Sequence, residues 1–162
     1  MTTVEEVRAT ASAVPDPEVP VLTIADLGVL RDVTYDPAAG RAVVTITPTY
    51  SGCPAMDAIR SDIVTALAGI SVDDVEVRTV LAPAWTTDWM SDAGRRKLAD
   101  FGIAPPPGSV GQRGAVAVAL SVRCPQCGSL DTREVAHFGS TACKALFVCS
   151  SCREPFDHFK AL

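Results

Sequence analysis

Long apolar runs are missing from this 162-residue chain; no stretch approaches the roughly 18 residues that a membrane helix needs. The opening segment, MTTVEEVRAT, carries acidic residues and no apolar h-region, so no secretory signal is read there. A basic surplus is missing too. The formal net charge is −5, and residues 122–162 set Arg123, Arg133, Lys144, Arg153 and Lys160 against Asp131, Glu134, Glu154 and Asp157. That segment is close to neutral, and without a basic footprint to neutralise phosphates a nucleic-acid partner is not expected. No Ser/His/Asp arrangement, Walker loop, dinucleotide fingerprint or internal repeat is found. These absences point to a cytoplasmic globular protein with no membrane association and no conventional enzyme site. In that reducing compartment six cysteines read as metal or redox chemistry, not as disulfides.

Four of the six form two Cys-x-x-Cys pairs, Cys124/Cys127 and Cys149/Cys152, with 21 residues between them. Pro125 lies inside the first pair and Gly128 follows it. Two short loops of this kind present four thiolates to one ion, the tetrahedral arrangement of a zinc ribbon. Zinc is the expected metal; iron in a rubredoxin-like arrangement uses the same ligands. Bound metal would supply the folding energy that a core of some 40 residues cannot. A closed Cys₄ cage leaves no open position for hydrolytic chemistry.

Cys53 stands apart. It precedes Pro54 at the start of a predicted helix and follows the loop Thr49-Tyr50-Ser51-Gly52. Free N–H groups and the helix dipole at that place are expected to lower its pKa, making a thiolate able to attack an electrophile or bind soft metal. The competing reading is a small buried hydrophobe. Asp16, Glu18 and Asp26 flank a proline-rich loop, where such acids are usually solvated or capping residues, though a Glu18/Asp26/Cys53 cluster would suit iron. Cys143 admits a spare ligand, a reactive thiol beside Lys144, or packing. His137 and His158 read as surface or packing residues, since the four cysteines already complete a site. Trp85 and Trp89 fit either a core role or a partner-binding surface.

The pattern along the chain predicts an α+β protein. A short amphipathic helix is expected over 3–14, a hairpin from strands 29–35 and 41–47 around the turn 36–40, and a helix beginning at Pro54 with Ile59, Ile63, Ala66, Leu67 and Ile70 on one face. A third strand follows over 74–81, then a tryptophan-containing loop and a helix over 92–101, capped by Ser91 and ended by Gly102. Three consecutive prolines and three glycines mark 104–114 as a linker. The domain expectation is therefore 1–103, a linker 104–114, and a ribbon over 115–162 that opens with a strand to Val122.

Two sets of segments resemble known families. DPEVPVLTIADLGVLRDV and TPTYSGCPAM resemble the small domain of SufT-like iron–sulfur assembly factors. LAPAWTTDWMSDAGRRKLADFGIAPP, CPQCGS and FGSTACKALFVCSSCREPFDHFK are similar to the D-subunit family, PaaD or PaaJ, of bacterial ring 1,2-phenylacetyl-CoA epoxidase. The resemblance runs from about Asp16 to Lys160. It implies an iron–sulfur-assembly-type domain followed by a Cys₄ zinc ribbon, within a multicomponent oxygenase of phenylacetate catabolism. In that family the oxygenase subunit carries a di-iron centre and the reductase carries flavin and an iron–sulfur cluster. This chain lacks the paired Glu-x-x-His motifs and the ferredoxin-type cysteine run of those subunits.

The resemblance thus implies an accessory or maturation factor that supports the oxidation without catalysing it. Cys53, with Asp26 or Glu18, would hold iron or an iron–sulfur cluster transiently and pass it to the reductase or di-iron subunit. The ribbon and the Trp85/Trp89 loop would dock that client. A purely structural, zinc-stapled subunit is the alternative, and a rubredoxin-like electron carrier a third.

Overall fold

The computed structural model describes residues 1–107 and 121–161. The chain divides into two compact units, Met1–Ser91 and Asp92–Leu162.

In the first unit, Thr3 starts helix α1 (Val4–Ser12) by accepting the Glu6 N–H on its side chain. Val7 and Ala11, one turn apart, are the buried positions. Strands β1 (Leu30–Asp36) and β2 (Arg41–Ile46) pair antiparallel. The Asp36 carboxylate closes their turn by accepting from the N–H groups of Ala38 and Ala39. Helix α2 (Ala55–Ala68) then crosses over to β3 (Asp74–Thr79), which runs parallel to β2. The sheet order is β1-β2-β3. The i, i+4, i+8 trio Ile59, Ile63 and Leu67 lies fully inside, each contributing roughly 2 kcal/mol of burial. Ala66 and Ile70 sit at the margin of that face.

In the second unit, helix α3 (Asp92–Asp100) is followed by the two-residue strand β4 (Ile103–Ala104), then β5 (Thr132–Ala136), β6 (Lys144–Cys149) and β7 (Pro155–Phe159). The sheet order is β4-β7-β6-β5, with β4 parallel to β7 and the other pairs antiparallel. Its core is small: Ala104, Val122, Cys124, Ala145, Phe147, Cys149 and Phe156, with Cys152 packed against it.

The mixed α+β class agrees with the sequence expectation, and so do three helices and the hairpin. The two compact units divide at 91/92. Helix 92–101 and Ile103–Ala104 group with the second unit, because β4 hydrogen-bonds to β7 and α3 packs beside β4. The strand expected to end at Val122 lies mostly outside the described residues, as does the linker beyond Pro107. No helix among the described residues is long and apolar enough to cross a membrane.

Candidate metal centre and thiol site

Each Cys-x-x-Cys pair forms a tight knuckle, and the two knuckles repeat one another. In the first, Cys124 donates its N–H to Ser129 O and accepts from Gly128 N–H at 2.9 Å. In the second, Cys149 donates to Glu154 O and accepts from Arg153 N–H at 2.9 Å. The side chains of Ser129, just after the first knuckle, and Ser151, inside the second, meet at 2.8 Å. The outcome is a four-thiol cluster whose sulfur atoms all lie within 4.8 Å of one another. Among the described residues it is the only group of three or more His, Cys, Asp or Glu side chains placed to hold a metal ion.

The spacing tests the fit to zinc. Bonds of roughly 2.3 Å in a tetrahedron require sulfur–sulfur edges of about 3.8 Å. The Cys124–Cys152 and Cys127–Cys149 sulfurs lie 3.7 and 3.6 Å apart. Two edges at tetrahedral spacing and four thiols grouped within 4.8 Å fit zinc as the resident ion, with Cys124 and Cys149 on the buried side and Cys127 toward solvent. The thiols also bias one another. The Cys152 backbone N–H, foremost among the donors, holds Cys149 down to about 6. At Cys152 the Glu154 N–H favours the thiolate, but burial and the three neighbouring thiols outweigh it and push the group up to about 12.

Cys53 occupies the turn before α2. Its N–H donates to Tyr50 O, and its carbonyl accepts from Met56 N–H. The thiol is half-buried. As the sequence suggests, a helix-start N–H, that of Ala55, points to the sulfur, and the Tyr50 side chain adds a second hydrogen bond that favours the thiolate. The expected lowering of the pKa nevertheless fails. Burial, first, and the negative charges of Glu18 and Asp16 outweigh those donors, and the thiol is pushed up from its ordinary value. Cys53 is a protonated thiol at neutral pH.

The expected Glu18/Asp26/Cys53 cluster is only partly assembled. Glu18 lies in electrostatic range of the sulfur, and Asp16 joins it. The Asp16 carboxylate accepts from the N–H groups of Glu18 and Val19, which folds the proline-rich loop toward this place. Asp26 is used elsewhere. One of its oxygens accepts from Thr23 N–H and the other from the Ser91 hydroxyl, while its carbonyl takes the Ser91 N–H at 2.8 Å. Asp26 is thus a buried tether between two loops. Asp16 and Tyr50, which the sequence places in the flanking loops but outside the expected cluster, both act on the sulfur.

The tryptophan loop places its two rings differently. Trp85 is only 6% exposed, and its indole N–H donates to Leu27 O at 2.9 Å. Trp89 is half-buried under the Arg31 guanidinium, 3.6 Å from the ring centre. Both tryptophans pack on the Leu27-Gly28 turn, and Trp85 has no face to offer a partner.

Cys143 is buried, with Thr141 Oγ1 3.1 Å from its sulfur, which matches the packing reading. His158 is buried with Nδ1 3.2 Å from Ala104 O, and that burial lowers its pKa. The single Glu-x-x-His spacing, Glu134 to His137, lies at the end of β5, where the two side chains contact each other at 3.3 Å.

Comparison with known proteins adds to these geometries. The model of the iron–sulfur cluster assembly protein family matches residues 4–81, and that of the PaaD zinc beta ribbon domain matches residues 109–160. A protein of Escherichia coli (strain K12), named as the D component of 1,2-phenylacetyl-CoA epoxidase, is 48% identical over 98% of this chain and 93% of its own. The chain belongs to the PaaD family. This PaaD-family chain is also 39% identical to the Fe-S protein maturation auxiliary factor YitW of Bacillus subtilis (strain 168), over 54% of this chain and 84% of that one. The crystal structure of a domain of unknown function, DUF59, from Bacillus anthracis matches with a TM-score of 0.54 and 35% identity, covering 59% of this chain and 90% of that one. An iron–sulfur-assembly fold and a PaaD zinc ribbon are therefore joined in one PaaD-family chain.

Proposed function

We propose that this protein is an accessory factor of a phenylacetyl-CoA epoxidase system and handles iron or an iron–sulfur cluster as cargo through Cys53. The observation that carries the reading is the setting of that thiol: half-exposed, on an iron–sulfur-assembly fold, with Glu18 and Asp16 in electrostatic range. Those carboxylates disfavour a bare thiolate. They favour a cation on the sulfur, because an iron ion that replaces the thiol proton brings positive charge into the same negative potential. Such a site stays closed by a proton when empty and takes a cation when one is presented. Weak, reversible loading is the expected behaviour, with the reductase or di-iron subunit as recipient. The ribbon's closed four-cysteine centre supports a structural role for zinc, not a transfer role.

The test is co-expression of the epoxidase subunits with the wild-type chain or with Cys53→Ser. The expected result is oxygenase or reductase that is depleted of iron or cluster when Cys53→Ser is supplied, with the complex otherwise intact. Fully metallated, active enzyme with Cys53→Ser would overturn the transfer reading and leave a zinc-stapled structural subunit.

A further inference from the structure

The two edges of the first sheet are treated differently. At β1, Arg8 of α1 donates to the Val33 carbonyl at 2.8 Å and approaches Asp32 at 3.7 Å, so that edge is partly covered. Strand β3 forms the other edge. Among the described residues, no hydrogen bond reaches the β3 backbone beyond its ladder with β2. On one face of β3, Val75 and Val77 join Arg60, Ser61, Val64 and Thr65 of α2 in lining a shallow groove of about 370 Å³. Val64 is 42% exposed there, an apolar side chain left in water beside an open strand. On the opposite face stand Glu76 and Arg78. Their side chains pair within the chain, and Glu76 also takes Arg41 at 2.6 Å.

We propose that β3 is a self-association edge, on which a second copy of this chain pairs its own β3 antiparallel across a two-fold axis at Val77. A two-fold interface must be complementary to itself. The charges on β3 meet that condition in one register. With the axis at Val77, Glu76 of each copy lies opposite Arg78 of the other, and Val75 lies opposite Thr79. An axis at Glu76 or at Arg78 would instead set two like charges directly across from each other, which is unfavourable. Shifting the axis by half a residue would place the valine face of one copy beside the charged face of the other. Charge and pleat therefore select the same pairing. It yields one six-stranded sheet and brings the two valine-lined grooves together on one side of it.

Charged side chains on an edge strand also serve to prevent association. Here the two signs alternate so that a rotated copy matches them, and a purely repulsive edge has no need of that. The Arg78 and Arg41 guanidiniums hold the Glu76 carboxyl down to about 2, so both members of the cross-strand pair keep their charges throughout the working pH range.

Sedimentation velocity on the full chain, at rising concentration and low salt, tests the proposal. The expected result is a concentration-dependent doubling of the 17.0 kDa mass, reduced by added salt. Glu76→Arg and Arg78→Glu each set like charges across the axis, and each alone should lose the dimer while keeping the wild-type circular dichroism. Mixed in equal amounts they should associate again, since one variant presents two arginines to the other's two glutamates. An intramolecular role for the pair predicts no such rescue. A wild type that stays monomeric, single variants that remain dimeric, or a mixture that fails to associate would each overturn the proposal.

Discussion

Gly128 and Arg153 are counterparts: each directly follows the second cysteine of its knuckle, each has a left-handed backbone, with φ of 75° and 65°, and each donates its N–H to the first cysteine's carbonyl. The knuckle geometry demands that conformation at this position. Glycine adopts it freely, whereas an arginine is strained by its Cβ. Arg153→Gly should therefore stabilise the ribbon by about 1 kcal/mol, and Gly128→Val should destabilise it by a similar amount or more. Thermal melts of the metal-loaded protein check both. Because Arg153 is exposed, the first change removes no packing.

Metal removal should act on one unit only. A strong chelator near neutral pH is expected to accelerate hydrogen exchange of the β5–β7 amides, while the first unit stays protected. The small ribbon core cannot hold its strands alone. Acid should work in the same direction, since the ligands must be thiolates and protonation at low pH competes with the ion.

The raised pKa of Cys53 gives a signed pH dependence. At pH 7–8 its alkylation by iodoacetamide, followed by peptide mass spectrometry, should be slower than that of a free cysteine and should rise steeply above the ordinary thiol value of 9.0. Glu18→Gln removes one of the charges that disfavour the thiolate, so it should speed the reaction by about two- to threefold at pH 8. The folded chain holds this proton more tightly than the unfolded one. The associated stability is therefore present below the unfolded thiol pKa and declines as pH rises above it.

Gly28 tolerates no side chain. Its φ is +75°, and a Cβ there would lie 2.6 Å from both Trp89 Cβ and Trp89 O. Gly28→Ala should cost about 2 kcal/mol or more and loosen the tryptophan loop, visible as a red shift of the tryptophan emission.

Thr47 offers the opposite case. Its hydroxyl, just past β2, is buried and has no hydrogen-bond partner among the described residues. Thr47→Val keeps the shape and removes the unsatisfied group, so stability to denaturant should rise by about 1 kcal/mol.

Much of the fold was legible because it is written locally. Val7 and Ala11, or Ile59, Ile63 and Leu67, recur at helical spacing, and the cysteine pairs declare their own ligand set. What stayed hidden depends on partners far along the chain. Burial, first, and then the charges of Glu18 and Asp16 from a loop some 35 residues away raise the Cys53 pKa, which no property of the helix start could reveal. Asp26 was a plausible ligand by residue type, but Thr23 and Ser91 had already engaged it. The two residues of β4 are too short to carry a pattern, and only their pairing with β7 assigns helix 92–100 to the second unit.

That pairing changes what the Pro/Gly-rich stretch is. Its flanks, Ala104 on β4 and Val122 before the first knuckle, both belong to the same small core. The described residues on both sides of it therefore belong to one unit, and no boundary between units has to fall within it. Lengthening the chain between those flanks would raise the entropy cost of bringing them together by only about 0.6 kcal/mol per doubling. A single proteolytic cut there would not set the ribbon free, because β4 would still be held to β7 by the sheet.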